Sequence, residues 1–178
     1  VNFDKSKKLR IPDPNQCSVS FWLKTNDSSK GTVMQLFGDE LEEEGGQPPV
    51  TGYLGIGNGG KTIFLQWFSR TVGDNLEGEL DASGDGWNHV VVSFTTESQE
   101  GRLSVVIYLN GQKVPHHSNP MKTSLFEEPI KMKKVFILGR QSKVATEFRG
   151  VLDDVRIYSR SLSELEIKNL YEYEKYRE

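Results

Sequence analysis

The sequence predicts an all-β fold: two antiparallel sheets packed face to face, closed by one short C-terminal helix. Three observations predict it. Short runs rich in Val, Ile and aromatic residues recur along the chain, separated by Gly, Asn, Asp, Ser and Pro. A strong hairpin signal, Asn110-Gly111, sits between "LSVVIYL" and "QKV". Only one segment has helical periodicity, too few for the crossovers that parallel strands require.

Val19–Lys24 reads as the first strand, with Val19, Phe21 and Leu23 on one face and Ser20, Trp22 and Lys24 on the other. Thr32–Phe37, Tyr53–Ile56 and Thr62–Phe68 follow. The glycine-rich "GYLGIGNGGK" fits a hairpin turn better than a phosphate loop, because Thr62 opens a strand where such a loop needs a helix. Trp87–Phe94 and Leu103–Leu109 are the most apolar strands, and Leu103, Val105, Ile107 and Leu109 share one face. Asn110 and Gly111 supply the positive φ angles of a type I′ turn. Val135–Gly139 and Val151–Tyr158 complete the set. The helix spans roughly Ser163–Tyr173. Ser163 and Glu166 form a capping box, Leu162 and Ile167 a hydrophobic staple, and Ile167, Leu170, Tyr171 and Glu174 share a face.

Residues 1–178 suffice for a single domain with a substantial core. Lys and Arg total 22 against 25 Asp and Glu, a net charge of -3 that draws neither nucleic acid nor an anionic membrane. Lys5, Lys7, Lys8 and Arg10 crowd the start, and Asp39–Glu44 is acidic; both read as solvated surface. Cys17 is the one cysteine, which rules out an internal disulfide, and its place in "CSVSFWLK" suits a buried small hydrophobe. No leader or membrane-spanning stretch is visible, and the abrupt "VNFDKS" start suits a domain excised from a larger protein. Asn26-Asp27-Ser28 fits a glycosylation sequon.

"FWLK", "GWNHVVVSF", "VVIYLNGQKV", "FILGR" and "FRGVLDDVRIYSRSLSELEI" occur in the order of the landmarks of LamG-like jelly-roll domains. In these landmarks the chain resembles the concanavalin A-like lectin/glucanase superfamily over almost its whole length. Asp154 stands where that family usually has Glu. The resemblance implies a concanavalin A-like sandwich. The family's roles span carbohydrate binding, adhesion, laminin-type interaction and structural appendage, so fold alone does not choose among them.

Glycosidases need paired carboxylates around the scissile bond. The family's catalytic Glu-x-Asp-x-x-Glu is matched here by Glu79 and Asp81, but Gly84 stands in the third place, among loop-forming residues. No catalytic residue is assigned. His116 and His117 are adjacent on a Pro-bounded loop, a poor arrangement for one metal, and His89 fits the family's Trp-x-His motif as a packing residue. Calcium takes several oxygen ligands. The family pattern suggests Asp4, Asp153 and Asp154 for it, although Lys5, Lys7 and Lys8 depart from the usual small polar residues. By alternation Asp153 shares a face with Val155 and Ile157, and a carboxylate there needs backbone N–H groups or Arg149 as partners.

A sugar site requires an aromatic platform beside amides or cations. Trp67, with Gln66, Arg70 and Tyr53, is the leading set, and Trp22 and Tyr108 are further aromatics on the less apolar faces of their strands. Trp67 also has the strand parity of Ile63 and Leu65, which fits a core role equally well. The expected function is a non-catalytic carbohydrate-binding or adhesion module, extracellular or at a cell surface. The alternative is a structural or protein–protein interaction domain. Expected partners are a glycan or a host or matrix surface protein, with no nucleic acid and no membrane insertion. No cofactor is required, and calcium is the one ion the family pattern suggests.

Overall fold

A computed structural model of the chain describes residues 16–26, 29–38, 51–68, 73–79, 86–96, 103–114, 132–137 and 148–176. The strands are β1 (Cys17–Lys24), β2 (Gly31–Gly38), β3 (Thr51–Gly57), β4 (Thr62–Phe68), β5 (Gly73–Glu79), β6 (Trp87–Thr96), β7 (Leu103–Leu109), β8 (Gln112–Lys113), β9 (Met132–Ile137) and β10 (Val151–Tyr158), followed by α1 (Glu164–Glu174). They form two five-stranded antiparallel sheets. One has the order β10-β1-β6-β7-β8 and the other β5-β4-β3-β2-β9.

The predicted alternation builds the core. Cys17, Val19, Phe21 and Leu23 of β1 are fully buried with Val90, Val92 and Phe94 of β6 and Ile107 of β7. Against them the second sheet sets Met34, Leu54, Ile56, Ile63 and Leu65. Burying such rows on both inner faces is the main favourable term holding a sandwich together. "GYLGIGNGGK" is the β3–β4 hairpin, turning through a single 3-10 turn at Asn58–Gly60.

Two readings change. Gly73–Glu79, "GDNLEGE", is a strand, although its one large apolar residue is Leu76 and it has no alternating pattern. It pairs residue for residue with β4, so tertiary pairing overrides weak local propensity. Glu79 is therefore the last residue of a strand, not part of a turn, while Asp81 and Gly84 lie outside the described residues. β9 begins at Met132, three residues before the predicted start.

The second change concerns Asp153. Along the β1–β10 pairing, β1 advances from Ser20 to Trp22 while β10 steps from Arg156 to Asp153. The extra β10 residue is a β-bulge, and Asp154 within it has φ 48°, a left-handed conformation that Asp tolerates. A bulge resets the side-chain alternation. Asp153 thus pairs with Trp22 on the outer face, Ile157 pairs with Val19 of the core, and Asp153 is exposed. The expected shared face of Asp153 and Ile157 does not form.

The helix forms as predicted. Ser163 Oγ accepts from the Glu166 N–H (3.3 Å), and Glu166 Oε2 accepts from the Ser163 N–H (2.9 Å). Arg160 clamps the same carboxylate through both guanidinium nitrogens, at 2.6 and 2.9 Å. The Arg160 hydrogen bond first, then those from Ser163, lower the Glu166 pKa to about 2. Leu162 and Ile167 are buried together with Val91 and Tyr108, so the staple fixes α1 onto the outer face of the β10-β1-β6-β7-β8 sheet.

The β7–β8 turn docks beneath it. Asn110 and Gly111 have φ 51° and 75°. A Cβ on Gly111 would lie 3.1 Å from the Tyr171 ring, so this glycine serves both the turn and the helix contact.

Candidate functional site

Two outer faces carry the residues that sequence reasoning singled out. The first lies under α1. Ser18, Ser20, Trp22, His89, Val91, Ser93, Tyr108, Arg156 and Tyr158 alternate with core residues on β1, β6, β7 and β10. The serines seat the chain entering the helix: Ser18 Oγ donates to Ser93 Oγ (3.1 Å) and accepts from the Leu162 N–H (2.9 Å).

Trp22 Nε1–H donates to Glu174 Oε2 (3.0 Å), and Arg156 Nη1 donates to Glu174 Oε1. Arg156 Nη2 also donates to Asp154 Oδ2. The sequence marks the end of this helix face as polar, yet Glu174 is 5% exposed. It is a buried, paired carboxylate, and Arg156 is its counter-ion. Trp22 and Tyr108 are therefore corrected as sugar platforms. The helix covers them, because the less apolar faces of their strands are its seat.

His89 sits at the centre of this seat, 1% exposed. Its ring centroid is 5.1 Å from that of Trp22 and 6.1 Å from that of Tyr171, and the Tyr171 ring is stacked at 19°. Neither ring nitrogen has a hydrogen-bond partner among the described residues. Burial, then the Arg156 charge, lower its pKa to about 4, with Asp154 opposing. Glu174 Oε2 is 3.9 Å from Nε2, beyond hydrogen-bond reach, and is already held by Trp22, so the imidazole stays neutral. Its backbone is fixed instead: the His89 N–H donates to Asn110 Oδ1 (2.9 Å), and its carbonyl accepts from the Asn110 N–H (2.8 Å).

The residues proposed for calcium do not converge on a shell among the described residues. Asp153 Oδ1 accepts from the Asp154 N–H (2.8 Å), and Asp154 shares Arg156 with Glu174. No group of three or more His, Cys, Asp or Glu among the described residues is placed to hold a metal. Asp4 lies outside them.

The second face belongs to the β5-β4-β3-β2-β9 sheet. Its inner row runs Leu76, Leu65, Leu54, Met34, Ile137 across the five strands. The neighbouring row has the opposite parity and runs Asn75, Gln66, Tyr53, Gln35, Phe136. Directly paired positions in an antiparallel sheet share a face. Asn75, Gln66, Tyr53, Gln35 and Phe136 therefore share one register line across the sheet, and of the neighbouring outer positions Thr32, Gly55 and Thr62 are buried.

The flanking outer rows hold Phe68, Thr51 and Phe37 on one side and Glu77, Phe64 and Gly55 on the other. Phe64 is half-buried, and its ring lies on Gly55, where a Cβ would come within 2.6 Å of Phe64 Cζ. The missing side chain leaves room for the tip of the Phe64 ring.

This register brings Tyr53 and Gln66 together as a directly paired couple. Position 67 falls in a different row, with Asp74, Gly52, Leu36 and Val135, at the parity of buried Ile63 and Leu65. Arg70 lies outside the described residues. Gln35, Asn75 and Phe136 share the register line of Tyr53 and Gln66 and were not singled out from the sequence. Gln35 was open to parity reasoning on "TVMQLF", whereas Asn75 was hidden because its strand carries no strand signal.

The chain matches a laminin G family model over residues 4–168. No curated protein matches its sequence. Among solved structures, a sialidase carbohydrate-binding module of Ruminococcus gnavus, bound to α2,6-sialyllactose, superposes with TM-score 0.57 at 16% identity, covering 88% of this chain and 83% of that one. A Trypanosoma rangeli sialidase in complex with 2,3-difluorosialic acid gives 0.59 at 14%, covering 90% and 23%. Botulinum neurotoxin type C, whose cell entry depends on interaction with two ganglioside molecules, gives 0.51 at 16%, covering 90% and 36%. The chain thus spans well under half of the last two proteins, and these likenesses show the fold alone. Sequence landmarks, a two-sheet sandwich and the family match agree: the chain belongs to the concanavalin A-like lectin/glucanases superfamily.

Proposed function

We propose that the protein is a non-catalytic carbohydrate-binding module acting by equilibrium binding. The observation that carries this reading is the laminin G family match over residues 4–168 together with the likeness to a sialidase carbohydrate-binding module over 88% of this chain and 83% of that one. Sugars present an apolar C–H face and a rim of hydroxyls. Aromatic residues suit the first, and amides, which both donate and accept, suit the second. Tyr53 and Gln66 are candidate contacts in this proposal, and Trp67 shares the strand parity of buried Ile63 and Leu65. Arg70 is a flanking contact in this proposal.

The partner is a glycan, presented free or on a host or matrix surface protein, and the setting is extracellular or at a cell surface. No helix among the described residues is long and apolar enough to cross a membrane. The module belongs to a larger protein in this reading and requires no cofactor; a calcium ion at Asp153 and Asp154 would need Asp4 to complete its oxygens.

A second reading, a protein-interaction domain, has its own observation. Leu165, Tyr173 and Tyr176 on and just after α1 are 68, 69 and 79% exposed. A glycan array separates the two: dose-dependent binding lost in Tyr53→Ala supports the first, and no binding leaves the second. Polysaccharide hydrolysis by the wild type, abolished when Glu79 and Asp81 are both replaced, would contradict the non-catalytic assignment.

A further inference from the structure

We infer that the ledge formed by Trp87, Lys24 and Val151 takes an acidic saccharide, an inference that rests on the carbohydrate-binding reading above. These three residues pair directly across β6, β1 and β10, one row along from His89, Trp22 and Asp153, and so share the outer face on which α1 docks. The helix covers Trp22 and His89 but not this row: Trp87 is 39% and Val151 52% exposed. Lys24 Nζ stands 6.0 Å from the centroid of the Trp87 ring, a cation against an indole.

The connections at this end of the sandwich add positive charge. The Arg149 N–H donates to the Lys30 carbonyl (2.9 Å), and a Cβ on Gly150 would lie 3.0 Å from the Lys24 carbonyl oxygen. Residues 149 and 150 therefore lie against both ends of the β1–β2 connection. Lys30 and Arg149 are exposed and form no ion pair with a described residue. Sequence reasoning offered Arg149 to Asp153, but Asp153 binds the Asp154 N–H instead. Among the described residues of the connections here, 25–26, 29–30, 86 and 148–150, none is Asp or Glu, in a chain whose net charge is -3. Asp153 is one row away, and Glu79 ends β5 at the edge of the other sheet.

An exposed indole beside ammonium and guanidinium groups offers both halves of what an acidic sugar needs. The C–H face of the sugar ring packs on the indole. Its carboxylate or sulfate gives up hydration and recovers it from charge-assisted donors, of which a guanidinium can bind two oxygens at once. A neutral sugar would use the ring alone. The chain's net negative charge opposes a long polyanion such as nucleic acid, whereas a ligand with one or two acidic groups meets the local cations.

The test is an NMR titration of the labelled whole chain with 3′-sialyllactose, with a sulfated heparin disaccharide and with lactose. At least one acidic ligand is expected to shift the Trp87 indole N–H and the Arg149 amide, and which of the two does so tells carboxylate from sulfate. Lactose is expected to act there at least tenfold more weakly, and added salt to weaken the acidic ligand. Replacing both Lys30 and Arg149 with Gln is expected to weaken acidic binding at least tenfold with an unchanged circular dichroism spectrum, since both side chains are exposed. Trp87→Ala is the second variant, with the same loss expected. Equal action of lactose at Trp87 would overturn the acidic ligand while leaving glycan binding intact. Acidic binding that the variants retain, or that shifts the Tyr53–Gln66 row and not Trp87, would overturn the ledge alone. A response of Trp87 to an acidic peptide or an oligonucleotide, with no saccharide acting there, would also overturn it. No binding of any saccharide would overturn the carbohydrate reading together with this inference.

Discussion

The outer face beneath α1 and the outer face of the β5-β4-β3-β2-β9 sheet lie on opposite sides of one sandwich. On the first, Trp22, His89, Tyr171, Arg156 and Glu174 close on one another. Every strong group there but the imidazole has a protein partner, and the imidazole is held neutral between rings. On the second, Thr32, Gly55 and Thr62 are buried and Phe64 lies half-buried against Gly55. The lesson is that aromatic and polar residues on an outer face do not by themselves mark a ligand site. What matters is whether another element of the chain supplies the partners. Where α1 supplies them, the cluster is a lock for the helix.

Breaking the lock is expected to have the largest effect. Arg156→Met leaves the Glu174 carboxylate buried with the Trp22 N–H as its remaining strong donor. Stranding a buried charge costs about 3–5 kcal/mol, and the partial exposure of Arg156 sets this case at the lower end. Urea denaturation should show that loss, and native-state hydrogen exchange should place it in α1. A loss below about 0.5 kcal/mol would mean that Glu174 is not a buried anchor.

Acid should weaken the same face without mutation. His89 titrates near 6.5 when unfolded and near 4 when folded, so the unfolded chain takes up the proton first. The stability this depressed pKa represents is fully present above about pH 6.5 and is lost as pH falls toward 4, about 3 kcal/mol over the window. His89→Phe keeps the stacking and should remove most of that slope between pH 6.5 and 4. A slope unchanged in the variant would assign the titration elsewhere.

Ser163→Ala should cost about 1 kcal/mol, because the Glu166 N–H loses its acceptor at the helix start. Equal stability of variant and wild type in chemical denaturation would remove the cap from the account. On the opposite sheet, Gly55→Ala should cost about 1 kcal/mol or less, since the half-buried Phe64 ring can yield to the new methyl. It should nonetheless weaken glycan binding by displacing that ring. A variant with wild-type affinity would show that the Phe64 ring is not used.

Most of the fold was open to sequence reasoning because it is written locally. Val19, Phe21 and Leu23 alternate, Asn110-Gly111 permits one kind of turn, and Ser163 with Glu166 marks one helix start. What stayed hidden depends on partners distant in sequence. Gly73–Glu79 becomes a strand through its pairing with β4, which sets Asn75 opposite Gln66. Asp153 changes faces because one extra β10 residue opposes β1, which no periodicity in "VLDDVRIY" reveals. Trp22 and Tyr108 looked available because parity assigns a face but not its cover. Tyr53 and Gln66 were named as candidates from the sequence; that they pair directly required the register.

The central claim, that the face beneath α1 is a lock for the helix and not the proposed glycan site, is tested most directly by an NMR titration of labelled protein with a neutral glycan that it binds. The account predicts amide shift changes concentrated at Gln35, Tyr53, Gln66 and Asn75, with Trp22, His89 and Tyr171 unmoved. Changes concentrated at Trp22, His89 and Tyr171, with the Tyr53–Gln66 row silent, would contradict it.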